Sequence, residues 1–358
     1  MKFEDIYLAG VGTYVPSAVT TECAVKEGWY TDDARKASGL ESVAVEDSLP
    51  AVDMAVLAAR TAVERSGHTA DDFRGLLHTS TYYQGPAGWS PAHYVLAGTL
   101  DRPVSAFHVQ HGCLGLLAAL ESAALRLAAG GERDAAMLLT AADNFNTPLV
   151  GRWTSSSMFV LADAGSSAVV SRRGGFARLL AMDFVSQPGM EAMHRGDEPL
   201  FPPAEPVWRA MDFEGRLESW RDQWAAGGAI PLADFGELIA ATVERTLKAA
   251  GTSLDRMARV VHNGFNREPL SVFLLDPLGL DASRGTWDLN RTIGHASVSD
   301  FLIGLEHLWR TGQVVPGDQV LVLGFTTGME AACAVLEITA APGEGHGALP
   351  AADSRGGH

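Results

Sequence analysis

The order of strand and helix signals along this chain occurs twice, and that repetition constrains its fold more than any other feature. In the first half, the short strand run FRGLLHTST follows the helix pattern DMAVLAARTAVERSG, which has apolar residues at helical spacing and a glycine stop. After these come VSAFHVQHG, the Ala/Leu helix LGLLAALESAALRLAAGG ended by Gly130 and Gly131, and the strand DAAMLLTAA. In the second half, ADFGELIAATVERTLKAAG parallels the first helix and RVVHNGF parallels GLLHTST. SVSDFLIGLEHLWRTG parallels the Ala/Leu helix, and QVLVLGF parallels AAMLLTA. Two similar α/β halves packed as one unit are expected, spanning 1–172 and 173–340. The Ala/Leu helix is apolar almost all round, which places it in the middle of the protein.

An interruption from about Ser186 to Leu232 breaks the second half. It is rich in Trp, Pro, Met and charge, and an insertion of that kind is expected to cap a substrate site. The tail over 341–358 is small and polar, so disorder is expected there.

Composition narrows the function. Of the 358 residues 47% are hydrophobic and 20% charged, which suits a large buried core. Three widely spaced cysteines, Cys23, Cys113 and Cys333, support neither a disulfide framework nor a zinc ribbon, so a reducing cytoplasm is expected and no metal. The opening MKFEDIYLAGVGTYVP reads as neither a signal peptide nor a membrane span. A formal charge of -16 argues against a nucleic-acid partner. An acidic carrier protein or a CoA phosphate would need a local basic patch, for which Arg152, Arg172, Arg173 and Arg267 are candidates.

Cys113 follows the strand VSAFHV and the turn QHG, and it opens the Ala/Leu helix. A helix N-terminus supplies backbone N–H groups and the positive end of a dipole. Both favour a thiolate, the form in which cysteine attacks an acyl carbon. A cysteine among glycines also serves as a small core residue, so position alone does not decide.

Three segments add to this: IYLAGVGTYVPSAVTT, AFHVQHGCLGLLAALESA and GDQVLVLGFTTGMEAACAVL. In order and separation they resemble β-ketoacyl-ACP synthase III, a thiolase-superfamily condensing enzyme, over nearly the whole chain to about residue 338. The resemblance implies a five-layered αβαβα fold, a homodimer, and acyl transfer from a carrier-protein or CoA thioester to Cys113, with no bound cofactor.

Departures from the family pattern carry the functional expectation. Where the family has a histidine after a second-half strand, VVHNGFN places Asn263, with His262 one residue early. Where it has an asparagine, IGHASVSD places His295. A His/Asn pair of neutral donors suits a decarboxylating condensation, whereas an imidazole in the other seat suits deprotonation of an incoming hydroxyl. Such a base needs a carboxylate to fix its tautomer, and Asp300 or Glu330 is expected to supply it, Asp300 being favoured. His194, in the insertion, is a further residue that could reach the site.

FTTG stands where the family has a glycine-rich loop whose backbone N–H joins that of the cysteine in an oxyanion hole. Thr326 and Thr327 there leave the donors but narrow the backbone freedom. The family's CoA-binding Trp and Arg fall at Asp33 and Ala37, while Arg152 matches a second adenine-side arginine. A carrier-bound donor is favoured on that ground.

The expected function is acyl transfer through Cys113 to an acceptor hydroxyl or a second carrier thiol in polyketide or related natural-product biosynthesis. An ordinary decarboxylating synthase is the alternative. A non-catalytic partner subunit is a third reading, against which Cys113 itself speaks. Trp89, Trp153, Phe159, Trp208, Trp220 and Trp224 are candidates for shaping the pocket.

Overall fold

Among the described residues eleven strands carry the fold: β1 (Tyr7–Tyr14), β2 (Ala18–Thr20), β3 (Ser42–Ala44), β4 (Phe73–Thr79), β5 (Ser105–Val109), β6 (Ala136–Asp143), β7 (Ala164–Ser171), β8 (Ala177–Ser186), β9 (Met257–His262), β10 (Gln319–Thr326) and β11 (Glu330–Ile338). The computed structural model describes residues 1–200, 210–225 and 232–343, with side chains excluded at 223–225 and 232–234. All but the small β2–β3 ribbon form one sheet, in the order β5-β4-β6-β7-β1-β8-β11-β10-β9.

The seam between β1 and β8 is narrow, with only Tyr7 opposite Arg178 and Leu8 opposite Ala177. On one side of it β4, β5 and β6 run parallel, and β7 and β1 complete the half antiparallel to their neighbours. On the other side β9 and β10 run parallel while β11 and β8 alternate. The second pattern repeats the first without a counterpart of β5. In the segment that precedes the helix Asp300–Arg310, where the repeat would call for that strand, His295 makes an isolated bridge with Leu161.

Of the four apolar clusters among the described residues, the three largest define the layers. The middle one joins Leu116, Leu120 and Leu127 of the helix Gly115–Gly130 to Phe301, Leu302 and Leu305 of the helix Asp300–Arg310, with strand residues from both half-sheets on either side. The helix Ala51–Ser66 covers the outer face of the first half, and Leu232–Ala250 that of the second. The result is the expected five-layered αβαβα fold. The Ala/Leu helix is less enclosed than its composition suggests, because Leu125 near its C-terminal end is 46% exposed. Residues Gly112–Gly130 match a membrane span by length and hydropathy alone, but this segment packs as a core helix between two half-sheets.

Close approach of helix to strand depends on small residues. A Cβ built on Gly10 in β1 would lie 2.1 Å from the Ala62 carbonyl oxygen and 2.9 Å from the Ser66 nitrogen. Backbone atoms cannot yield as a flexible side chain does, so Gly10→Ala is expected to cost about 1–3 kcal/mol by overpacking. Chemical denaturation of the full chain checks this; an unchanged midpoint would mean that the helix does not rest on β1 as described.

Candidate active site

Cys113 lies just past the end of β5, in the short 3-10 turn Gly112–Leu114 that leads into the helix Gly115–Gly130. The turn needs glycine at 112, whose φ is +48°. A Cβ there would come within 2.1 Å of Thr326 Oγ1. Cys113 itself is half-buried, whereas Cys23 is exposed and burial pushes the Cys333 thiol up to about 12.

His295 comes from the other half, before the helix Asp300–Arg310. Its Nε2 is 3.2 Å from Cys113 Sγ, and its Nδ1 is 2.5 Å from Asp300 Oδ2. Asp300 is fixed in turn, accepting from Gly264 N at 2.7 Å and Ala296 N at 2.8 Å. His295 is fully buried, and burial alone would lower its pKa; the Asp300 carboxylate and the Cys113 sulfur outweigh that and raise it to about 10. A raised pKa keeps the imidazolium through neutral pH and releases its proton only as pH climbs through the folded value.

A cavity of about 640 Å³ opens above this trio, with Cys113 and His295 on its wall. Aromatic and sulfur-bearing side chains dominate, among them Phe145, Trp153, Phe159, Phe265 and Met190. The Phe159 and Phe265 rings lie 5.0 and 5.5 Å from the imidazole. From the insertion, Met193, His194, Phe213 and Trp220 complete the wall, so its described part does cap the site. Burial lowers the His194 pKa to about 4, which leaves it a neutral wall residue. Trp89 is not on this wall and packs against Tyr94, while Trp208 and the Trp224 side chain lie outside the described residues.

Similarity to solved structures decides the family. ChlB3, an acyltransferase, is 36% identical, with a TM-score of 0.89 and coverage of 94% of this chain and 98% of its own. The chain belongs to the β-ketoacyl-ACP synthase III-like family of the thiolase superfamily. A family model, 3-oxoacyl-[acyl-carrier-protein] synthase III C terminal, matches residues 247–338 of this synthase III-like enzyme. Streptomyces coelicolor β-ketoacyl-[acyl-carrier-protein] synthase III 3 is 25% identical over 345 residues, covering 92% of this chain and 96% of that protein. The 3-oxoacyl-[acyl-carrier-protein] synthase III of Aquifex aeolicus shares the fold, with a TM-score of 0.73 at 18% identity over 93% of this chain and 99% of its own.

Other expected site residues of this synthase III-like enzyme are placed differently. Asn263 is buried behind Phe325, accepting its N–H at 2.9 Å, and does not line the cavity. His262 is held neutral by burial, bonded to the Asn263 carbonyl and the Thr286 N–H. Glu330 does not reach His295; it pairs with His111 and accepts from Ser186 Oγ at 2.6 Å. Arg152, expected to grip an adenine, is 7% exposed and spent on Asp163 at 2.8 Å and the Leu161 carbonyl at 3.1 Å. Arg172 and Arg173 follow Ser171, which pairs with Ala136 at the end of the sheet away from Cys113. They therefore form no patch with Arg267, which is exposed beside the cavity wall.

Sequence reasoning missed a second polar cluster. Thr81 and Ser297 hydroxyls meet at 2.5 Å, Ser297 Oγ is 4.0 Å from Cys113 Sγ, and Ser297 holds φ at +52°. Behind them Asp143 accepts from Thr81 and Tyr82 N–H, each at 2.9 Å, and burial lifts its pKa to about 7. An acid closing the buried run AMLLTAAD was the available signal.

Asp300→Asn is expected to slow iodoacetamide alkylation of Cys113 at pH 7 by roughly tenfold or more, because the imidazolium loses its carboxylate partner. In the wild type the alkylation rate should stay level through pH 6.5, where an ordinary histidine deprotonates, since His295 keeps its proton until about pH 10. Equal rates in variant and wild type, or a wild-type profile breaking near 6.5, would contradict the assigned linkage.

Proposed function

We propose that this protein is an acyltransferase that takes an acyl group from a carrier-protein thioester onto Cys113 and passes it to an acceptor hydroxyl or a second carrier thiol, without forming a carbon–carbon bond. One observation carries the reading: a single imidazole, backed by a buried carboxylate, faces the sulfur, while Asn263 is turned away from the cavity. A decarboxylating condensation calls for two neutral donors on the enolate oxygen. Here one imidazole stands alone, and its pKa favours the charged form.

The proton can then be followed. In the resting pair the thiolate attacks the thioester carbonyl, and the imidazolium protonates the departing carrier thiolate. Acylation makes the sulfur neutral and leaves His295 neutral. The imidazole next accepts the proton of the incoming hydroxyl or thiol, whose heteroatom attacks the Cys113 thioester. Collapse of the adduct expels the Cys113 thiolate and restores the starting pair. Asp300 holds the tautomer throughout.

Similarity supports the same reading, since ChlB3 is an acyltransferase and the synthase relatives carry acyl carrier protein in their names. Donor docking at the cavity mouth would use Arg267 and Arg221, whereas Arg152 gives no grip on CoA. The apolar, aromatic cavity suits a bulky acyl group of polyketide or related natural-product origin. Three free cysteines fit a reducing cytoplasm.

A homodimer is part of this proposal. β5 is an edge strand whose Phe107 is 49% exposed beneath Arg126, Leu125 beside that arginine in sequence is exposed as well, and a second copy would cover that edge. Phe107→Asp is expected to shift the protein to monomer in sedimentation; an unchanged mass would remove β5 from the interface.

Intact-mass analysis with a panel of acylated carrier proteins tests the transfer itself. Wild type should gain the acyl mass and Cys113→Ala should not, while His295→Ala should load slowly and fail to pass the group on. With malonyl carrier labelled in its free carboxyl, the label should remain in the products; release as carbon dioxide would establish the condensing reaction instead.

A further inference from the structure

The N–H of the nucleophile is already occupied. Cys113 N donates to Thr326 Oγ1 at 3.0 Å, although this amide stands at the place from which an oxyanion would ordinarily be held. Thr326 is fixed from several directions. It ends β10 opposite Glu330 of β11, and a tight turn with φ of +95° at Gly328 and +34° at Met329 follows it. The preceding Phe325 N–H is anchored on Asn263. Thr326 is 3% exposed, yet it lines the cavity together with Cys113 and His295.

A hydroxyl accepts and donates at once. The lone pair of Thr326 Oγ1 takes the Cys113 N–H, and among the described residues its own hydrogen goes to no acceptor. An N–H bond onto the oxygen polarises the O–H and makes it a stronger donor. We infer that the Thr326 hydroxyl, set between the Cys113 amide and the cavity, is the oxyanion donor of this site and relays the backbone dipole to the substrate oxygen.

This rests on Cys113 being the acyl acceptor. When Sγ bonds to the carbonyl carbon, the π pair moves onto oxygen, and Thr326 O–H hydrogen-bonds that oxygen without giving up its proton. Collapse re-forms the C=O and breaks the bond to the leaving group, which takes the His295 proton if it needs one.

The test uses the full chain and p-nitrophenyl acetate, an active ester that acylates a competent thiol whatever the natural donor. The first-order burst of p-nitrophenolate is followed, with the acetyl mass located on Cys113. Thr326→Val, which keeps the shape and loses the hydroxyl, is expected to slow the burst about a hundredfold. Thr326→Ser should retain the wild-type rate. Iodoacetamide alkylation, which forms no oxyanion, should be the same in all three.

A Thr326→Val burst equal to wild type overturns the assignment. So does a loss shared equally by alkylation, because that would place the effect on the thiol or the fold, and so does a wild type that gives no acetyl-Cys113. If the nitrophenyl burst behaves as expected but no carrier thioester loads Cys113, the proposed function fails while the role of Thr326 stands.

Discussion

Everything in the site is arranged around one buried carboxylate. Asp300 is 2% exposed, and its two oxygens take the Gly264 N–H, the Ala296 N–H and His295 Nδ1. An ionised acid without partners would be strongly disfavoured at that depth. Satisfied, it ties the turn after β9 to the start of the helix Asp300–Arg310 and leaves the imidazole one orientation, with Nε2 toward Cys113. Asp300 and Cys113 both sit at the starts of the two helices of the middle layer. A helix start carries the positive end of a dipole, so the doubled architecture favours negative charge at both positions.

The proposed departure from a condensing reaction rests on that arrangement. A histidine without the anionic neighbours would be neutral at this burial and would serve as a hydrogen-bond donor to an enolate. With a carboxylate on one nitrogen and a sulfur on the other its pKa is raised, and in the proposed cycle it keeps its proton until the sulfur is acylated. The wall around it is largely apolar, and in the proposed transfer it would disfavour water that competes with the acceptor for the thioester.

Much of this was legible in the residues. Helical periodicity marked Ala51–Ser66 and Leu232–Ala250, and β-rich runs marked β4, β5, β6, β9 and β10, because each pattern has a single period. β7 was not identified: AGSSAVVS is buried on both faces and made of small residues, so it shows neither alternation nor bulk. The meeting of Cys113, His295 and Asp300 followed from the family resemblance, which puts Cys113 and His295 at site positions, and from the need of such a histidine for a carboxylate close by. What sequence could not supply was the direction of a side chain. Arg152 faces inward to Asp163, Glu330 turns to His111, and Asn263 turns to Phe325, although all three occupy positions that a linear pattern assigns to the site. Thr326 is the converse case. Its position suggested only a stiffer loop, while its hydroxyl lies on the nucleophile's amide.

The charge state of His295 before and after loading is the most direct measure of the account. Nitrogen-15 NMR of labelled imidazole at pH 7 should show a doubly protonated His295 ring in the free protein, absent from His295→Ala, and a neutral ring bonded through Nδ1 to Asp300 once Cys113 is acylated. A ring that is already neutral in the free protein, or that stays charged after acylation, would contradict it.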